Sequence, residues 1–149
     1  MLNGLKYLCL SMILILGLSA CQSVPLETST PPAIPMTQAK GEWSLVDMTA
    51  PNEFDMSQLR YRISLRITRQ EFSLAAPCSR LLGHYRSSAT VLHFQNIEQR
   101  DIVCANVDEA SSLHHLLQQT QYYRMSSEDS MQWLDQHKQV LAVWQRIYL

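Results

Sequence analysis

The 149-residue chain carries 12 basic and 13 acidic side chains, a formal net charge of −1. Nothing in that balance suggests a global nucleic-acid or polyanion binder. The length fits one folded domain of ordinary size.

In chain order, the first element is an export signal. Met1 to Tyr7 carries one charge, Lys6, and Leu8 to Leu18 is an apolar run. The run is too short for a transmembrane helix, which needs ~20 apolar residues. A charged start, a short apolar core and small residues before a cut describe a signal peptide over residues 1–20. The run Leu18-Ser19-Ala20-Cys21 resembles the lipobox of bacterial lipoproteins, which makes Cys21 the lipidation site. Several acyl chains, at ~0.8 kcal/mol per buried CH₂, anchor a protein stably. Gln22 after the cysteine, in place of an inner-membrane retention aspartate, points to the outer membrane of a two-membrane cell. The localisation that follows is the cell envelope, lipid-anchored and facing the periplasm. Loss of residues 1–20 leaves 129 residues, with 11 basic against 13 acidic side chains.

Residues 21–40 read as a tether. Pro25, Pro31, Pro32 and Pro35 are interleaved with Thr28, Ser29 and Thr30, without apolar periodicity. Part polyproline II and part coil, Gln22 to Lys40 reaches at most roughly 55–60 Å at ~3.1 Å per residue. The globular domain is placed at 41–149.

Strand signals dominate the domain. Trp43 to Val46 opens it. In Leu59 to Thr68 the residues Leu59, Tyr61, Ile63, Leu65 and Ile67 alternate with Arg60, Arg62, Ser64, Arg66 and Thr68. This period of two is that of a half-buried strand. Glu71 to Leu74 follows across an Arg69-Gln70 turn. His84 to Arg86 and Val91 to Phe94 flank a turn at Ser87-Ser88. Tyr122 to Met125, Met131 to Leu134 and Val140 to Ile147 form a closing meander, with polar turns at 126–129 and 136–138. One helix, Val107 to about Gln119, starts at Asn106 as its cap, with Glu109 completing a capping-box-like pair. Ala110, Leu113, Leu116 and Leu117 form its apolar stripe. The expected fold class is mainly β (α+β): a small antiparallel sheet or partly closed barrel with one packed helix.

Cys9 leaves with the signal and Cys21 is consumed by lipid, so Cys78 and Cys104 remain. In an oxidising compartment they form a disulfide. The loop of 26 residues between them gives a chain-entropy stabilisation of roughly 3–4 kcal/mol. The alternative is two free buried thiols.

Trp43-Ser44-Leu45, Cys78, Gly83-His84-Tyr85, Cys104, the helix ending in Leu116-Leu117, Tyr122-Tyr123 and the last two strands together resemble the META domain of HslJ-like heat-shock lipoproteins. The likeness spans roughly Gly41 to Arg146. The run around the first cysteine differs from the family's Gly-Cys-Asn, being Pro77-Cys78-Ser79-Arg80. The resemblance implies a compact antiparallel β fold with one helix and an envelope-stress setting, and brings no catalytic mechanism.

Among candidate sites, Arg60, Arg62 and Arg66 share one strand face, with Arg69 just beyond. Arginine suits bidentate contacts to phosphate or carboxylate, so this stripe is a candidate surface for an envelope protein or a polyanionic glycolipid. The bland alternative is a solvated strand face neutralised by acids such as Glu71. His114 and His115 are adjacent on a helix, about 100° apart, and do not share a metal easily. A Cys78/His84 site needs Cys78 free as thiolate. No serine-hydrolase elbow, phosphate-binding glycine loop or His-Glu-x-x-His motif occurs. The aromatic residues read as core. No cofactor, metal or nucleic-acid partner is expected. The reading is a non-enzymatic, outer-membrane-anchored lipoprotein acting in envelope stress or maintenance through surface contacts. The alternatives are a pilotin-like assembly factor and a Cys78-dependent redox or hydrolytic enzyme.

Overall fold

The computed structural model describes residues 35–49, 62–101 and 107–148. The expected export signal and Cys21, and also Arg60, Cys104 and Asn106, lie outside the described residues. Eight strands follow one another: β1 (Gly41–Met48), β2 (Ser64–Ile67), β3 (Glu71–Ala75), β4 (Ser79–Ser88), β5 (Val91–Asp101), β6 (Tyr122–Ser127), β7 (Ser130–Leu134) and β8 (Val140–Ile147). Among the described residues one α-helix, α1 (Val107–Gln119), lies between β5 and β6. Every strand pairs antiparallel with the next, and β8 returns to β1 (Leu45 opposite Trp144), so the sheet closes into a barrel. The fold is mainly β with one helix, as the alternation implied, and the ring is complete.

Closure follows from which side chains face inward. Trp43, Leu45, Ile63, Leu65, Leu74, Leu81, Leu92, Met131, Trp133 and Trp144 are fully buried, and on each strand they alternate with more exposed neighbours. A row of rings, Phe72, Phe94, Trp133 and Trp144, crosses the interior with successive centroids 4.8 Å apart. Tilted and edge contacts of this kind add ~0.5–1.5 kcal/mol each to the burial itself. The tryptophans are therefore core, which is the bulk a small barrel needs inside.

In an antiparallel ring the turns alternate between two ends. One end is covered by α1, whose Ala110, Leu113, Leu116 and Leu117 are buried and which packs on β4 and β5. At the other end lie the start of β1 and the β2–β3, β4–β5 and β6–β7 turns. There a 3₁₀ turn, Met36–Ala39, seals the core. Met36 and Ala39 are buried, and Ala39 O accepts from Trp43 Nε1 at 2.8 Å. The core thus begins before Gly41, inside the stretch whose composition reads as tether. Only positions i and i+3 of one 3₁₀ turn face inward, too little to register as periodicity. Arg146 clamps this turn. Its guanidinium donates to the carbonyls of Lys40 (2.7 Å), Gln38 (2.8 Å) and Glu128 (2.9 Å) and lies 4.4 Å from the centre of the Trp43 ring.

The ring is uneven. β4 and β5 form a long hairpin, whereas β5 and β6 share one register pair, Val91 opposite Tyr122. Two main-chain bonds, Leu92 N–H to Gln121 O (3.0 Å) and Tyr123 N–H to Thr90 O (2.9 Å), supplement it. α1 interrupts the chain here, so these strands part after the first residues.

Candidate functional site

The described arginines of the stripe stand on different elements. β2 is four residues long, so Arg62 stands in the turn before it, Arg66 on the strand and Arg69 in the bend after it. Arg66 faces its register partner Glu42 and donates to that carboxylate through Nε at 2.9 Å and through Nη2. Of the described stripe residues only Arg69 joins other cations.

Those cations come from the β4–β5 hairpin. A two-residue turn, Ala89-Thr90, sets Ser88 opposite Val91, Arg86 opposite His93 and His84 opposite Gln95. All but Val91 are exposed on the outer face. The β2–β3 bend is riveted to this hairpin from the inside. Tyr85 N–H donates to Gln70 O at 2.9 Å, and its phenol donates to Thr68 O at 2.8 Å and Arg69 O at 3.2 Å. Burial raises the pKa of the Tyr85 phenol, so it stays a neutral donor at physiological pH.

A bulge in β5 shapes the far wall. One extra residue is inserted opposite Gly83, between the pairs Leu82–Glu98 and His84–Gln95, and Asn96 takes φ 52. Inward parity shifts from Leu92 and Phe94 to Ile97, leaving Gln95 and Asn96 both exposed at the rim. The bulge closes on Gly83: a Cβ there would lie 2.8 Å from Gln95 O, 2.9 Å from Asn96 O and 2.9 Å from the Phe72 ring.

The result is an open cleft of about 680 Å³ between the bend and the hairpin. Arg69, Arg86, His84 and His93 supply positive or protonatable groups, and Ser87, Ser88, Gln95 and Asn96 supply neutral donors. Among the described residues no aspartate or glutamate lines it. Glu71 stands outside, 4.0 Å from His84 Nε2, in a neighbouring cleft with Arg66 and Glu98. The chemistry on offer is anion binding, with Arg69 and Arg86 as planar multidentate donors. Sequence reasoning missed this site because it put the turn at Ser87-Ser88. A turn two residues later gives the Arg86–His93 register directly. Ala-Thr, however, lacks the Gly, Asn or Asp that marks such hairpins, and Ala89 adopts φ 51 without them.

The other candidates resolve as follows. His114 and His115 sit on the α1 surface beside Ser111, Gln118 and Gln99, and among the described residues no group of three metal-ligating side chains exists. Cys78 is disulfide-bonded. Glu109 is buried, with 3% of its surface exposed. Its Oε1 accepts from Cys78 N–H at 3.0 Å and Ser79 Oγ at 3.1 Å, so this carboxylate ties α1 to the start of β4. Among the described residues no helix is long and apolar enough to cross a membrane.

The family model of the META domain matches residues 36–147. No curated protein matches the chain. Two solved structures share the fold. One is a DUF4847 family protein from Bacteroides vulgatus ATCC 8482 (TM-score 0.58, 9% identity, 75% of this chain and 96% of that one). The other is a protein from Burkholderia xenovorans solved by NMR (TM-score 0.55, 19% identity, 79% of this chain and 91% of that one).

Proposed function

Because the chain belongs to the META domain family, we propose that it is a non-enzymatic envelope lipoprotein that works by holding an anionic partner. The observation that carries this reading is the cleft between the β2–β3 bend and the β4–β5 hairpin, lined by Arg69 and Arg86 and, among the described residues, by no acid. The lipobox Leu18–Cys21 supports anchoring at Cys21, in an outer membrane on the reading of Gln22. The family resemblance supports a role in envelope stress or maintenance.

The disulfide partner of Cys78 in this reading is Cys104. Two features support it. Ser79 pairs with Asp101, which brings the chain just before Cys104 beside the chain just after Cys78. Glu109, five residues past Cys104, accepts from the Cys78 main chain. A redox or hydrolytic reaction through Cys78 needs its thiolate, which a disulfide removes. A pilotin-like assembly role remains a second reading, with the cleft capturing an acidic segment. Strand addition fits it less well, because a closed ring offers few free edges.

The test is metabolic labelling with a clickable fatty acid, followed by membrane fractionation. The wild-type chain takes up label and sediments with outer membranes, and Cys21→Ser loses both properties. Unlabelled wild-type protein refutes the anchor. Turnover of peptidoglycan or an ester by the purified protein, abolished by one substitution, refutes the non-enzymatic reading.

A further inference from the structure

We infer that the cleft binds the phosphate groups of the anionic lipid surface to which the chain is tethered, so that the barrel stands with its β4–β5 turn towards the membrane. The inference rests on the lipid-anchor reading above and adds a ligand and an orientation to it.

Three observations converge. The first is the chemistry of the cleft: two guanidinium groups, two imidazoles and neutral donors, with no carboxylate among the described residues that line it. The second is where the chain enters the barrel. Pro35 is exposed and extended, and the main chain of the next residue, Met36, lies beside the Tyr123 phenol. That phenol in turn donates to Ala89 O at 2.7 Å. One side chain therefore separates the point of entry from the β4–β5 turn, whose flanking residues Ser87, Ser88 and Val91 line the cleft. The third is the tether's length. Thirteen residues lie between Cys21 and Pro35, and at ~3.1 Å per residue they reach at most roughly 40 Å even when extended as polyproline II. A domain held so closely meets headgroups at an effective concentration on the order of millimolar, at which weak phosphate contacts are populated. Of the acids at the same end, Glu71 reaches only the edge of the cleft, 4.0 Å from His84, Glu42 accepts from Arg66, Asp129 lies 3.9 Å from Arg146, and Glu128 and Arg146 line a separate cleft with Tyr148. Arg62, Arg80 and Arg100 sit towards the opposite end, near the outer ends of β2, β4 and β5.

The experiment uses the full lipidated protein and reads arginine modification by phenylglyoxal, residue by residue, by mass spectrometry. It is reconstituted in vesicles of phosphatidylcholine alone, in vesicles of equal parts phosphatidylcholine and phosphatidylglycerol, and in detergent with or without inorganic phosphate. Arg69 and Arg86 are expected to react about fivefold more slowly in the anionic vesicles, the factor that one arginine at such a surface contributes. Arg62 and Arg100 keep the same rate in both, and Arg86→Gln removes most of the protection of Arg69. Equal rates at Arg69 and Arg86 in the two vesicle types overturn the inference while leaving lipidation standing. Protection by inorganic phosphate in detergent equal to that in anionic vesicles assigns a free-phosphate site and overturns the membrane orientation. Protection spread over Arg62 and Arg100 as well overturns the cleft. Protein without a fatty acid refutes the anchor reading. In that case added anionic vesicles still protect Arg69 and Arg86 if the cleft assignment is right, and fail to if it is wrong.

Discussion

Replacing Arg146 with methionine keeps a long apolar stem over Trp43 and removes the guanidinium that holds the Met36–Ala39 turn. Three hydrogen bonds to main-chain carbonyls are lost. Bonds from a charged donor are worth ~1.5–3 kcal/mol each, but Gln38, Lys40 and Glu128 are exposed and their carbonyls regain water. A discounted figure of ~0.5–1 kcal/mol per bond follows. The contact with the Trp43 ring adds ~0.5–1 kcal/mol, and the total loss is about 2–4 kcal/mol. At roughly 3–5 °C per kcal/mol for a domain of this size, the melting temperature falls by about 6–20 °C. Arg146→Lys restores less than half, because an ammonium cannot reach three carbonyls in the planar fork that arginine offers. Far-UV circular dichroism measures the melt. Hydrogen exchange at the Trp43 indole, which is bonded to Ala39 O, reports on the turn itself. If Arg146→Met melts within about 1 °C of wild type, or leaves the Trp43 indole equally protected, the clamp argument is wrong.

Glu109→Ala strands the donors Cys78 N–H and Ser79 Oγ and is expected to cost about 2–4 kcal/mol. Glu109→Gln, which keeps an acceptor oxygen, costs about 1 kcal/mol or less; urea midpoints separate the two, and equal losses would contradict the assigned bonds. Gly83→Ala drives a Cβ into two carbonyl oxygens and the Phe72 ring, costing about 1–3 kcal/mol, with NMR shift changes centred on residues 95–97; a neutral substitution would remove the close-approach argument. Burial raises the pKa of Tyr85 and Tyr123 above the ordinary tyrosine value, so the unfolded chain loses these protons first as pH rises. The stability they contribute is intact below about pH 10 and falls above it, by at most ~1.4 kcal/mol per pH unit for each. Chemical denaturation between about pH 9 and 11 should show this decline, with a smaller slope in Tyr85→Phe and Tyr123→Phe; an unchanged slope would mean that other groups set the alkaline limit.

Much of the barrel was readable from alternation alone. Leu65 and Ile67, Phe72 and Leu74, and Met131 and Trp133 face inward because each strand buries one face. The helix was legible in the spacing of Ala110, Leu113, Leu116 and Leu117. The lengths of β4 and β5 were not. The far half of β5 extends into polar sequence such as Gln95 to Arg100, held chiefly by its pairing with β4. The bulge at Asn96 also switches the inward residue from even to odd positions, which ends any simple periodic signal. The cleft stayed hidden for a related reason. Arg69 is seventeen residues from Arg86, and they converge only once Tyr85 has pinned the β2–β3 bend. In the arginine stripe the opposite happened: Arg66 meets Glu42 on a neighbouring strand, a pairing that no local pattern announces.

Because the first strand is zipped to the last, the protein cannot finish its sheet until its C-terminus is available. A premature stop or a proteolytic nick that removes Val140–Ile147 uncovers the hydrogen-bonding margins of both β1 and β7 and takes Trp144 out of the interior. Such a shortened product exposes two adhesive borders that the intact molecule keeps paired, and it should be recovered as aggregate. Nascent chains face the same hazard until the final eight-residue strand has emerged.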